Sequence, residues 1–120
     1  MLTLTVMDGS TLSGRLAFAR SAAVELSARE LSALAGLSNA VVTRLERENR
    51  PRPSAYTVSS LAKALGVEFA WLHDGSRPCI AAAPDLDPND PAHHEAIAAH
   101  VRAAVERARA VPPSALPEAA

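Results

Sequence analysis

The sequence predicts an all-α fold, five short helices followed by a sixth, and three observations predict it. Alanine, the best helix former, is abundant, while aromatic residues make up only 3% of the chain, so Leu, Val and Ala must fill the core. Apolar residues recur at spacings of three and four through successive short segments. Helix punctuation falls between those segments: serines stand ahead of three of them, and Gly36 and Gly66 stand just past two ends, where a positive φ is needed. A length of 120 residues suits one domain with a tail.

Residues 1–10 read as an N-terminal extension in which Leu2, Leu4 and Val6 alternate with threonines, a short strand signal; Met7 is an alternative start to Met1. The first helix is expected over 12–23, with Leu12, Leu16 and Ala19 on one face. Ser27 caps a second over 28–35, with Leu31 and Leu34 inward, and Ser38 a third over 39–47, with Val42 and Leu45 inward. Ser54, after Pro53, caps a fourth over 55–65 that buries Val58, Leu61 and Leu65. Val67 leads into a fifth over 68–73, burying Trp71 and Leu72. These helices make up a body spanning 11–78, and 79–90, with Pro84, Pro88 and several aspartates, reads as a linker. Asn89 or Asp90 caps the last helical segment, 91–111, with Pro91 in its first turn. Ile97, Val101, Ala104, Ala108 and Val111 form a narrow apolar seam there. The seam fits a dimerisation element and fits equally a helix folded back on the body. Pro112 and Pro113 stop it, and 112–120 reads as a disordered tail.

The net charge of −1 hides an asymmetry. Between Leu12 and Cys79 nine basic side chains face six acidic ones; from Ile80 onward three face six. A mildly basic body is the electrostatic footprint of a nucleic-acid partner. No run of about 18 apolar residues marks a membrane span, and the first residues lack the basic and apolar regions of a signal peptide. Cys79 is the only cysteine, so no intrachain disulfide is expected and a reducing cytoplasm fits. His93, His94 and His100 lie near Asp90 and Glu95, but no two histidines are four apart, and no metal is expected. Neither a glycine-rich phosphate loop nor a nucleophile elbow occurs, so neither an enzyme nor a cofactor is expected.

The informative stretch runs from Leu26 to Glu46: a helix, a tight turn at Gly36, and a second helix. Leu31, Leu34 and Leu37 meet Val42 and Leu45, and Ser32 and Ala35 are small enough to let the two helices cross closely. The second helix then projects Asn39, Ala40, Val41, Thr43 and Arg44 outward, in a size that a B-DNA major groove about 12 Å wide admits. From Leu12 to Arg77 the chain resembles the Xre/Cro/C1-type helix-turn-helix family, the lambdoid phage repressor fold. The resemblance rests on Arg15-Leu16 and Arg20, Leu26-Ser27 with Glu30-Leu31, and Gly36-Leu37-Ser38. It continues through Arg44-Leu45-Glu46-Arg47, Arg50-Pro51-Arg52-Pro53-Ser54, the run from Leu61 to Val67, Trp71-Leu72 and Asp74-Gly75. Ala28 stands where the family usually carries a glutamine that contacts DNA, and Glu48 where it commonly has glycine.

The resemblance implies the five-helix fold and a sequence-specific, dimeric regulator of transcription, a repressor, bound to double-stranded DNA. Asn39, Ala40, Val41, Thr43 and Arg44 are assigned to base edges, with arginine suited to guanine and asparagine to adenine. Ser27, Ala28, Ser38, Arg47, Arg50 and Arg52 are assigned to phosphates. Plainer roles fit several of these: helix capping for Asn39, a surface ion pair for Arg47, loop charge for Arg50 and Arg52. Ile97, Val101, Ala104 and Ala108 are the dimerisation candidates. The alternative is a protein-interaction module, such as an antitoxin or anti-repressor, that keeps the fold without specific DNA binding and has a protein partner.

Overall fold

Leu12, Leu16, Phe18 and Ala19 bury one face of the first helix, α1 (Leu12–Ala22), and around it the other elements assemble. The computed structural model describes residues 11–22, 26–48 and 52–110. The strand signal at Leu2, Leu4 and Val6, together with Arg50, Val111 and the 112–120 tail, lies outside those residues. Among the described residues the remaining elements are α2 (Ala28–Leu34), α3 (Val41–Arg47), α4 (Ala55–Leu65), α5 (Phe69–Asp74), a 3-10 turn (Pro91–His93) and α6 (His94–Ala110), with no strand. None of these helices is long and apolar enough to cross a membrane.

Two of the three expected serine caps form. Ser27 Oγ accepts the Glu30 N–H and Ser54 Oγ accepts the Thr57 N–H, each satisfying an amide that the helix cannot. The third does not: α3 starts at Val41 with Ala40 as its cap residue, and Ser38 contributes only its backbone carbonyl, to the Val41 N–H. The end of α5 is closed from outside. The buried Arg15 of α1 donates from Nε to Leu72 O (3.1 Å) and from Nη2 to His73 O (2.9 Å).

α6 lies across α1 and α4 of the same chain. Ile97, Val101 and Val105 are at most 1% exposed there, and Ala104 is buried beside them. The residues of the proposed dimerisation seam thus face their own body, with Ala108 half-buried at its end. Gly66 makes the close approach possible. Its φ of +72° closes α4, and a Cβ on it would sit 2.5 Å from Ala104 Cβ. His100 Nε2 lies 3.0 Å from the Gly66 carbonyl, and Arg109 pairs with Glu30 of α2 at 2.9 Å.

The 79–90 segment, read as a linker, carries Cys79 and Ile80 into the core, each at most 1% exposed. The Cys79 carbonyl accepts the Glu68 N–H, and His94 Nε2 lies 2.7 Å from Pro88 O. Phe18 meets both ends of this arrangement, edge-on to Trp71 (centroids 6.5 Å apart) and to His94 (4.8 Å).

Candidate nucleic-acid interface

α3 is only seven residues long, too short to hold itself in water. Val42 and Leu45 bury its inner face. Three polar contacts fix the rest. Ser32, fully buried on α2, accepts the Val42 N–H at its Oγ (3.0 Å) and donates the hydroxyl proton to Ala28 O (3.0 Å). The amide that a local cap residue would satisfy is therefore satisfied by the preceding helix. The same residue's carbonyl accepts the Leu37 N–H (2.8 Å), which fixes the turn at Gly36, φ +74°. At the other end Ser13 Oγ of α1 lies 2.7 Å from Leu45 O and 2.8 Å from Glu48 O.

The third contact is an ion pair. Arg20 of α1 meets the Glu46 carboxylate with Nε at 2.7 Å and Nη2 at 2.9 Å, and its Nη1 donates to Leu26 O just before α2. One guanidinium thereby joins α1, α3 and the segment leading into α2. The hydrogen-bonded Glu46 carboxylate holds the Arg20 guanidinium above its ordinary range, against the opposing effect of burial. The two side chains are only 27% and 14% exposed, so removing either leaves the other poorly solvated.

The outer face of α3 is otherwise uncommitted. Asn39, Ala40, Thr43, Arg44 and Arg47 are exposed; Asn39 and Ala40 lie in the turn leading into the helix. Val41, by contrast, is half-buried and packs on the core, as does Ala28 at the start of α2. Ser27, Ser38 and Arg52 are exposed. Arg44 Nε lies 3.5 Å from Glu48 Oε1, an i,i+4 pair with side chains 65% and 45% exposed, the kind that contributes little. Among the described residues no carboxylate lies within ion-pair distance of Arg29, Arg47 or Arg52, whereas Arg20, Arg102 and Arg109 are all tied to carboxylates of this chain. Sequence reading found the outward residues from their spacing. It missed Ser13 and the capping role of Ser32, because their partners lie 32 and 10 residues away.

Residues 20–72 match the family model described as a helix-turn-helix, from the end of α1 through Leu72 of α5. Over those residues the chain is similar to the Xre/Cro/C1-type helix-turn-helix family, a family of DNA-binding transcription regulators. α6 lies outside the matched stretch. No curated protein and no solved structure matches the chain.

Proposed function

We propose that the protein is a sequence-specific DNA-binding regulator that reads the major groove with α3 and represses by occupying its site. The observation that carries this reading is the outward face of α3, polar, cationic and free of structural duty, within a helix-turn-helix domain. Arg44 is the side chain for a guanine edge and Asn39 for an adenine edge. Thr43 reaches a base or a phosphate, and Ala40 packs on a thymine methyl. Val41, half-buried, has less surface to offer. The weak pair with Glu48 leaves Arg44 free to exchange a carboxylate for a base. Ser27 uses its oxygen as acceptor in the cap and keeps its hydroxyl proton for a phosphate, beside Ser38, Arg47 and Arg52.

Two copies bound to half-sites about one helical turn apart, roughly 34–36 Å, would supply the contact area that a single small domain lacks. With Ile97, Val101 and Ala104 already covered by the chain's own body, the pair is assembled on the DNA rather than through the α6 seam. The test is recovery and sequencing of genomic fragments bound by the purified protein over a salt series. An inverted repeat should emerge, with affinity falling steeply as salt rises. Arg44→Ala should lower discrimination at one base pair of each half-site by about 1–3 kcal/mol. Absence of enrichment at low salt would overturn the reading.

A further inference from the structure

A groove of ≈ 740 Å³ runs along the molecule between the C-terminal end of α2, α4 and α6. Its floor is apolar and shallow-sided, with Leu34, Ala64 and Ala108 among the residues that line it. At its edge stands Tyr56, 69% exposed, the most exposed large apolar side chain among the described residues. Lys63 and Arg107 line it as well, and among the described residues no acidic side chain does. Those two cations have no ion-pair partner among the described residues, although the neighbouring Arg102 and Arg109 on α6 are paired with Glu95, Glu30 and Glu106. None of the exposed residues of α3 lines the groove.

We infer that this groove takes an acidic amphipathic helix of another protein. Alanines on α4 and α6 let a third helix approach at the 8–10 Å spacing of packed helices. An apolar stripe at i, i+3, i+4 and i+7 would cover the floor, with Tyr56 as the aromatic anchor. Asp or Glu beside that stripe would meet Lys63 and Arg107, which are exposed and have no counter-charge among the described residues. A second copy of this chain is the poorer occupant, since a two-fold contact there would set one cationic groove against another. The occupant and DNA at α3 would use different residues, so the partner could ride on the bound regulator.

The test places a benzophenone amino acid at Ser59, which lines the groove, in the full-length chain expressed in its own cells. Illumination followed by sequencing of the cross-linked peptide identifies the occupant. The expected product is an acidic, amphipathic segment of a different protein, lost in the Lys63→Glu, Arg107→Glu double variant. A synthetic peptide of that segment should bind the double variant at least tenfold more weakly, while the variant's melting and DNA affinity stay near those of the parent. Cross-linking to a second copy of this chain, to DNA, or to nothing above a control probe at Ala81 would overturn the inference. So would a peptide indifferent to the charge reversal.

Discussion

α3 and α6 are held in opposite ways. α6 is 17 residues long and buries an apolar stripe against two helices, so it is fixed mainly by hydrophobic contact along its length. α3 has seven residues, two of them buried, and is fixed at both ends by hydrogen bonds and an ion pair from α1 and α2. Pinning by polar contacts at the ends and two apolar residues beneath leaves the outer face of α3 without a packing role. Its side chains are free to be chosen for what they touch outside the molecule. α6 has no such freedom along its inner stripe, and what it offers to partners must lie on its flanks.

The comparison is broken most readily at α6. Ile97→Ala should cost about 2–5 kcal/mol in chemical denaturation, because a fully buried side chain is lost from a seam that cannot collapse freely. Thr43→Ala, on the exposed face of α3, should stay within about 0.5 kcal/mol by the same measurement. Equal costs would mean that α6 is not packed as described. Next in size is Ser32→Ala, which strands the buried Val42 amide and should cost about 1–3 kcal/mol. Ser38→Ala, which a local cap would make equally costly, should be close to silent in stability. If Ser32→Ala also weakens DNA binding beyond its effect on folding, the capped geometry of α3 matters to recognition.

The effect that is silent at neutral pH concerns Cys79. Burial, with a lesser push from the Glu68 carboxylate, raises its thiol from an ordinary 9.0 to about 12. The folded state therefore keeps a proton that the unfolded state releases. This contribution is complete below pH 9 and is lost between 9 and about 12. The parent should lose more stability across that window than Cys79→Ala does. At pH 8 a thiol reagent should modify the folded protein only as fast as the 79–90 segment lifts from the body.

Local signals made α1 to α5 legible. The apolar spacing, the caps at Ser27 and Ser54, and the glycines at 36 and 66 all report on neighbours within a turn or two of chain. The inner stripe of α6 was equally visible, but periodicity states that a face is buried without stating against what. That is why Ile97, Val101 and Ala104 fitted a second copy as well as the chain's own α1 and α4. Ser38 looked like the cap of α3 because the actual acceptor sits on another helix. The segment after α5 read as a linker because its prolines and aspartates outweigh Cys79 and Ile80, the two residues that anchor it. On the outer face of the candidate site, Asn39, Ala40, Thr43 and Arg44 are exposed as the spacing implied, whereas Val41 is half-buried.

The reach of α6 has a consequence for how the protein comes into being. Arg102 of α6 approaches the Ala22 carbonyl, 80 residues back in sequence, and Arg109 meets Glu30 across 79. A chain made of short helices would otherwise complete its core from near neighbours and fold quickly. Here the floor beneath α1 and α4 stays bare until α6 has left the ribosome. On a chain growing at roughly 5–20 residues per second, that leaves the helix-turn-helix waiting several seconds for its final support. The helix-turn-helix is synthesised early, and its footing arrives later.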